Sequence, residues 1–225
     1  MIAINIFANS LMLLPCFVSS RVKTILTAPL IVMPSIKRIA VFASGNGSNA
    51  ENLIRYFRNN TGVAEVALVV CNRRDALAPH RAVALGVDAV VLTRDEINEP
   101  STLSRVLDEH SIDFIVLAGF LLMAPLFLIE RYRGRIVNIH PALLPKFGGK
   151  GMYGHHVHEA VIAAGERETG ITIHHVSERY DEGRIIFQAR VGVEPADTPE
   201  IVERKVRDLE MRYLPQVVGN LVVDL

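Results

Sequence analysis

Two polar side chains share one face of a short apolar stretch in the C-terminal half of the chain. They are Asn138 and His140, in the run Val-Asn-Ile-His-Pro at 137–141. Successive side chains of a β-strand point to opposite faces, so these two lie side by side, and Pro141 ends the strand. An amide N–H and an imidazolium are donors that stabilise a developing oxyanion. The spacing therefore fits acyl-transfer chemistry, although a structural histidine that caps a turn fits it equally well.

Asp181 is the candidate third member of this group. It lies in the polar turn Tyr-Asp-Glu-Gly at 180–183. A carboxylate beside an imidazole raises the pKa of the imidazole and can assist proton transfer. Its position alone favours an ordinary turn aspartate.

A glycine-rich loop, Ser-Gly-Asn-Gly-Ser-Asn at 44–49, joins a predicted strand to a predicted helix. Glycine allows a tight turn and a close ligand, and the free amides of a helix N-terminus favour a phosphate. The loop also fits the dinucleotide pattern G-x-G-x-x-[G/A], but Cys-Asn-Arg-Arg at 71–74 replaces the acidic residue that holds a ribose. An arginine there could meet a 2′-phosphate, so an NADP-dependent reductase stays open as an alternative.

The order of apolar and amphipathic stretches indicates how these side chains are positioned. From residue 37, short apolar runs alternate with helical patterns, which is typical of βαβ units. After His140 come a loop, a helix and two strands whose spacing suits an antiparallel pair. We predict an α/β fold: a Rossmann-like, mostly parallel twisted sheet with helices on both faces and a C-terminal antiparallel strand pair. Ligands of such sheets bind beyond the carboxyl ends of the strands.

The individual elements can be bounded from the same patterns. The predicted strands cover residues 39–43, 63–71, 88–92, 114–117, 135–139, 171–176 and 184–193. The predicted helices cover residues 48–60, 76–85, 101–110, 126–132, 155–164 and 200–213. The last helix is expected to end before Pro215, because proline lacks the N–H that a helix interior needs.

Composition excludes several classes of function. The 225 residues contain 24 basic and 24 acidic side chains, which gives no electrostatic case for nucleic-acid binding. Half of the residues are hydrophobic, enough for a sizeable core. Cys16 and Cys71 give neither a disulfide framework nor a metal-ligand spacing, so a reducing, cytoplasmic location is expected.

Residues 1–35 are predicted to be an N-terminal extension, and residues 36–225 the catalytic domain. The extension is apolar but interrupted by polar residues and prolines, so it lacks the roughly 20 unbroken apolar residues of a membrane helix. Residues 1–7 carry no positive charge of the kind that begins a signal peptide. We favour Met33 as the true start. A targeting segment and a structured arm are the alternatives.

Four motifs, in this order, resemble the phosphoribosylglycinamide formyltransferases. They are the loop at 44–49, Leu-Ala-Gly-Phe at 117–120, Asn-Ile-His-Pro-Ala-Leu-Leu-Pro at 138–145 and Asp-Glu-Gly at 181–183. The Asn-x-His-Pro motif and the later Asp belong to the wider formyltransferase superfamily, whereas the Gly-Asn-Gly-Ser-Asn loop points to this branch. The resemblance runs from about residue 37 to the C-terminus.

The resemblance implies a reaction and a set of roles. The substrates would be glycinamide ribonucleotide and the cosubstrate 10-formyltetrahydrofolate, with no metal required. The catalytic residues would be Asn138, a protonated His140, and Asp181, which raises the pKa of His140. The residues expected to bind the ribonucleotide are Gly47, Ser48, Asn49 and Glu210. The expected folate-binding residues are Leu121, Leu122, Met123 and Ala124.

The remaining expectations concern partners and departures from the family. Small molecules are the expected partners, with no nucleic acid and no membrane, and the chain is expected to be a monomer or a homodimer. Leu122 stands where many members carry an arginine. The Gly-rich loop at 146–154 is longer than in the best-known members and is expected to move over the site. His156, His158 and His174 are expected near that loop as packing or substrate contacts.

Two further alternatives stay open from the sequence. One is a formyltransferase acting on another amine. The other is a folate-binding module without activity, which would leave the three polar residues without a role.

Overall fold

The computed structural model describes residues 36–225, which are built around a seven-stranded sheet. The predicted extension over residues 1–35 lies outside the described residues. The strands are β1 (Lys37–Ala43), β2 (Ala64–Cys71), β3 (Asp88–Val91), β4 (Phe114–Ala118), β5 (Ile136–His140), β6 (Glu168–His175) and β7 (Ile185–Gly192). Their order in the sheet is β3-β2-β1-β4-β5-β6-β7. Strands β1 to β5 are parallel, and β6 pairs antiparallel with both β5 and β7. The predicted mostly parallel sheet with a C-terminal antiparallel pair is confirmed.

Helices cover both faces of the sheet. They are α1 (Ser48–Asn59), α2 (Leu77–Ala84), α3 (Arg94–Asn98), α4 (Pro100–Glu109), α5 (Leu126–Arg131), α6 (His155–Ala163) and α7 (Pro199–Val223). Apolar side chains of α1, α2 and α7 pack on one face, and those of α3, α4 and α5 on the other. Strand β4 is therefore buried along its whole length, as expected for a parallel strand that is covered on both sides.

The last helix corrects the sequence prediction. Helix α7 continues through Pro215 to Val223, so the prediction that it ends before Pro215 is wrong. Proline removes the N–H that would pair with the carbonyl of Met211. Here the side-chain amide of Asn52, on α1, donates to that carbonyl over 2.8 Å. Because the freed oxygen has a partner, the apolar face of α7 can stay buried beyond the proline.

Helix α3 was not predicted, although its start carries a sequence signal. Thr93 and Glu96 form a capping box, in which each side chain bonds to the backbone N–H of the other. The pattern Thr-x-x-Glu was available, but the helix spans only five residues and has little periodicity to detect.

Three neighbouring strands bring the candidate motifs to one edge of the sheet. The carboxyl ends of β1, β4 and β5 lead into the glycine loop, the 119–124 segment and Pro141. Ser44 ties the first two together: its N–H donates to the Gly119 carbonyl over 2.9 Å, and its Oγ accepts from the Leu121 N–H over 2.8 Å. Within residues 36–225, no helix is long and apolar enough to cross a membrane.

Candidate active site

A cleft of about 670 Å³ opens at this edge of the sheet. Every site residue predicted from the sequence lines it. These residues are Gly47, Ser48, Asn49, Leu121, Leu122, Met123, Ala124, Asn138, His140, Asp181 and Glu210. The fold thus gathers side chains from distant parts of the chain around one space.

The glycine loop forms one end of the cleft. Gly47 has a φ of 75° and stands immediately before α1. A Cβ on Gly47 would lie 2.5 Å from Ala78 Cα and 2.6 Å from Ala78 Cβ, so both the backbone conformation and the space require glycine. The backbone amides of Ser48 and Asn49 start the helix and have no partner within its hydrogen-bond ladder, which suits them to bind an anion.

Asn49 and Glu210 form a polar pair beside this loop. Asn49 Nδ2 donates to Glu210 Oε2 over 3.0 Å. The Asn49 side chain is 8% exposed, and its Oδ1 has no hydrogen-bond partner among the described residues. Burial raises the pKa of Glu210, and the hydrogen bond from Asn49 acts in the opposite direction. The pair offers acceptors next to the anion site, as a ligand with hydroxyl or amine donors would need.

Asp181 contacts both Asn138 and His140 at the centre of the cleft. Its Oδ2 accepts the Gly149 N–H over 2.9 Å and lies 3.5 Å from His140 Nδ1. Its Oδ1 accepts from Asn138 Nδ2 over 3.3 Å and lies 3.5 Å from His174 Nε2. Burial acts to raise the pKa of Asp181, but contacts with His174, His140 and the Gly149 amide together hold that pKa below its usual value. Asp181 is therefore a carboxylate at neutral pH.

His140 is buried, with an oxygen atom near each ring nitrogen. Nε2 lies 2.7 Å from the Phe147 carbonyl oxygen, which can only accept, so Nε2 carries a hydrogen. Burial lowers the pKa of His140 below its usual value and outweighs Asp181 and the Phe147 carbonyl, which act to raise it. The expected effect of Asp181 on this pKa is present, but desolvation of the cation is the larger effect. The lowered pKa favours the neutral form of His140 at pH 7, with its hydrogen on Nε2.

Asn138 is oriented by two neighbours. His174 Nδ1 donates to the His175 carbonyl over 2.9 Å, and its Nε2 lies 3.1 Å from Asn138 Nδ2. Asn138 Nδ2 also donates to Asp181 Oδ1 over 3.3 Å, so these two contacts orient the amide. His174 was expected near the Gly-rich loop, but its contact with Asn138 was not predicted. The sequence signal for this contact was a histidine within an apolar strand. In the structure, His174 pairs in register with Asn138.

The turn after β5 is fixed by a buried threonine. Thr172 Oγ1 donates to the Ala142 carbonyl over 2.7 Å and accepts the Leu144 N–H over 3.0 Å. Thr172 pairs in register with His140. The chain that leaves His140 is therefore held against β6, and the Gly-rich loop follows in a defined direction.

The segment after β4 forms the opposite wall. Leu121 and Met123 are exposed in the cleft, whereas Ala124 is buried and Leu122 packs partly against the core. Phe120 contacts Phe42 edge-to-face, with ring centroids 5.3 Å apart. Alternate side chains thus anchor the segment and present an apolar surface, which suits a flat aromatic ligand.

Several charged residues that were not assigned roles also line the cleft. They are Arg73, Lys150, Arg179, Glu203 and Arg207. Arg73, Lys150 and Arg179 lie on separate loops, whereas Glu203 and Arg207 are four residues apart on α7 and bond to each other. His158 also lines the cleft and is buried, whereas His156 is exposed and contacts Glu159. Over residues 36–225, no group of three or more His, Cys, Asp or Glu side chains is arranged to hold a metal ion.

Comparison with known proteins agrees with this geometry. Residues 37–218 match the family model described as formyl transferase. A phosphoribosylglycinamide formyltransferase of Bacillus subtilis is 33% identical over 83% of this chain and 95% of its own length. A chloroplastic phosphoribosylglycinamide formyltransferase of Arabidopsis thaliana is 40% identical over 84% of this chain, which spans 66% of the length of that relative.

Solved structures with a similar fold carry the same protein name as these relatives. The crystal structure of a phosphoribosylglycinamide formyltransferase from Streptococcus pneumoniae superposes with a TM-score of 0.72 at 37% identity, covering 83% of this chain and 99% of that one. These similarities do not favour the NADP-dependent reductase that the glycine loop left open.

Proposed function

The chain belongs to the formyl transferase family, and we propose that it acts as a phosphoribosylglycinamide formyltransferase. It transfers the formyl group of 10-formyltetrahydrofolate to the amine of N1-(5-phospho-ribosyl)glycinamide, giving formylglycinamide ribonucleotide and tetrahydrofolate in de novo purine biosynthesis. The observation that carries this proposal is the convergence of Asn138, His140 and Asp181 in one cleft, between an anion-binding loop and an apolar wall.

The reaction needs no covalent intermediate on the protein. The amine nitrogen attacks the formyl carbon, and the carbonyl electron pair moves to oxygen and gives a tetrahedral oxyanion. When the oxyanion collapses, the bond from carbon to the folate N10 breaks, and N10 takes the proton that the amine loses. No metal is part of this scheme, because the amine is itself the nucleophile.

His140 and Asp181 carry the proton. Neutral His140 has its Nδ1 lone pair towards Asp181, 3.5 Å away. A proton taken from the amine, directly or through water, forms an imidazolium next to a carboxylate, which stabilises it. The imidazolium then supplies positive charge near the oxyanion and returns the proton to N10.

Asn138 supplies a donor to the oxyanion. Its amide is held in one orientation by His174, so a donor rather than the amide oxygen is directed towards Asp181. As His140 becomes charged, its attraction to Asp181 Oδ2 increases, whereas Asn138 contacts Oδ1. The amide hydrogen in this longer contact of 3.3 Å turns to the formyl oxygen as the oxyanion forms.

The ends of the cleft bind the two substrates. The amides of Ser48 and Asn49, beside Gly47, hold the phosphate, while Glu210 accepts hydrogen bonds from the ribose and glycinamide portions. Leu121, Leu122, Met123 and Ala124 contact the folate ring system. Where other members place an arginine, Leu122 offers no charged group, so the main chain of this segment supplies the polar contacts.

The partners proposed for the protein follow from this chemistry. Both ligands are small molecules, and the chain acts as a monomer or homodimer without nucleic acid or membrane. We propose that the protein is cytoplasmic. The name of the Arabidopsis relative includes the word chloroplastic, so fractionation of the source cells tests this location directly.

A coupled assay tests the proposed function. Purified protein is mixed with 10-formyltetrahydrofolate and glycinamide ribonucleotide, and the absorbance of the deformylated folate is followed. Formation of formylglycinamide ribonucleotide is confirmed by mass spectrometry. The absorbance change should require both substrates. Formylation of other amines at a comparable kcat/KM, or none of glycinamide ribonucleotide, would contradict the proposal.

A further inference from the structure

Helix α7 carries a proline in its interior, one turn beyond a residue of the cleft. Pro215 is buried and leaves the Met211 carbonyl without its helical N–H. Met211 directly follows Glu210, which lines the cleft. A helix weakened at this point would let the turn that carries Glu210 shift.

Asn52 of α1 supplies the missing donor. Its Nδ2 lies 2.8 Å from the Met211 carbonyl oxygen in a partly buried contact. An unpaired carbonyl in this environment is unfavourable, so the side chain and the proline form a matched pair across the two helices.

The contact lies next to the polar pair of the cleft. Asn49 and Asn52 are three residues apart and so share a face of α1. They bond to consecutive positions of α7: Asn49 to the Glu210 carboxylate over 3.0 Å and Asn52 to the Met211 carbonyl. One contact holds the side chain of Glu210, and the other holds the backbone that carries it.

We propose that Asn52 is a positioning residue for the ribonucleotide end of the cleft, which fixes Glu210 by bonding to the carbonyl that Pro215 leaves free. This inference rests on the proposed function for the identity of the ligand. Asn52 does not line the cleft, so its effect on binding passes through α7.

Four proteins test the coupling: the unchanged chain, Asn52→Ala, Pro215→Ala, and the double variant. Pro215→Ala restores the backbone N–H that the Met211 carbonyl lacks. In the Pro215 background, Asn52→Ala should raise KM for glycinamide ribonucleotide by about fivefold, with little change in kcat or in KM for the formyl donor. In the Pro215→Ala background, the same substitution should change KM by less than about twofold.

Asn60→Ala is the matched control. Asn60 Nδ2 donates to the Tyr56 carbonyl over 2.8 Å on the same helix, at the end away from the cleft. This variant should leave both KM values unchanged. The proposal is overturned if Asn52→Ala raises KM equally in both backgrounds, or if it lowers only the melting temperature.

The failure of the proposed function can be told apart from the failure of this inference. If the unchanged chain does not formylate glycinamide ribonucleotide, the function is wrong. Calorimetric binding of ribose 5-phosphate to the same four proteins then tests Asn52. A loss of affinity in Asn52→Ala that Pro215→Ala restores supports its role, and equal affinity in all four proteins contradicts it.

Discussion

At the scale of single residues, the chemistry depends on the crowded surroundings of one carboxylate. Asp181 contacts Asn138, His140, His174 and the Gly149 amide, and its φ of 56° lies in the left-handed region. Aspartate and asparagine tolerate this conformation better than most residues. The geometry therefore restricts the position to a short polar side chain and makes asparagine the matched neutral substitute.

Loss of any one of the three central polar groups should nearly abolish turnover. We expect Asn138→Ala, His140→Ala and Asp181→Asn each to lower kcat by at least about a hundredfold, because each removes an oxyanion donor or a proton carrier. Asn98→Ala, which removes an exposed side-chain bond to the Arg94 carbonyl, is the control. The assignment fails if two of the three variants keep near-normal rates in the coupled assay while remaining folded.

The lowered pKa of His140 predicts the pH dependence. If neutral His140 accepts the proton of the amine, kcat/KM falls as acid protonates the ring, and the midpoint lies below the ordinary value of 6.5. Asp181 acts to raise the pKa of His140, so Asp181→Asn should move the ring titration to still lower pH. NMR titration of the imidazole in both proteins measures this. A midpoint above neutral pH would show that the imidazolium is the resting form, and a shift to higher pH in Asp181→Asn would contradict the effect assigned to Asp181.

At the scale of elements, the site is built where parallel strands end and helices begin. The end of β1 leads through the glycine loop into α1, and Ser44 joins this loop to the segment after β4. The cleft keeps its shape because hydrogen bonds of the Ser44 backbone and side chain join these connections. Local changes at the loop should therefore affect both folding and binding.

Gly47 is the position where a single methyl group should matter most in this loop. Gly47→Ala would place a Cβ 2.5 Å from Ala78 Cα at a φ of 75°. We expect a loss of about 1–3 kcal/mol in the free energy of unfolding and a raised KM for the ribonucleotide. In Gly45→Ala the added Cβ meets no atom within 4 Å, so it should be nearly as stable as the unchanged chain. Equal stability of the two variants in urea denaturation would disprove the steric argument.

At the scale of the whole molecule, the cleft gathers segments that are far apart in the chain. Residues 44–49, 119–124, 138–141 and 149–154 line it together with residues of β6 and α7. A ligand that spans the cleft contacts these segments only in the folded state, so binding must stabilise the whole fold.

Ligand-induced stabilisation gives a test that does not depend on turnover. At a hundredfold excess over its Kd, glycinamide ribonucleotide should add about 2.7 kcal/mol to the stability of the folded state, and so raise Tm by roughly 5–10 °C. Gly47→Ala should show a smaller rise at the same concentration. NADPH serves as the comparison ligand in thermal unfolding. A larger rise in Tm with NADPH than with the ribonucleotide would favour a dinucleotide as the ligand of the glycine loop.

Most of the fold was accessible from the sequence because its signals are local. Short apolar runs between amphipathic helices predict a parallel sheet, and the strand bounds agree with the structure to within a few residues. The exceptions were the short helix α3, which was not predicted, and the end of the last helix. Pro215 predicts a helix end by its own chemistry, and only the contact with Asn52, 163 positions earlier, removes that constraint.

In the candidate site too, some features were predictable from the sequence and others depended on the tertiary structure. The types and spacing of Asn138 and His140 fixed their shared face, and the motif order gave the family, since strand periodicity and motifs are written in the chain itself. The packing of the β5–β6 pair and the Gly-rich loop decided the protonation and orientation of these groups. It buried His140 enough to lower its pKa, set the Phe147 carbonyl on its Nε2, and turned the Asn138 amide towards Asp181. Desolvation and hydrogen-bond partners depend on what surrounds a side chain in space, so the tertiary structure alone could determine them.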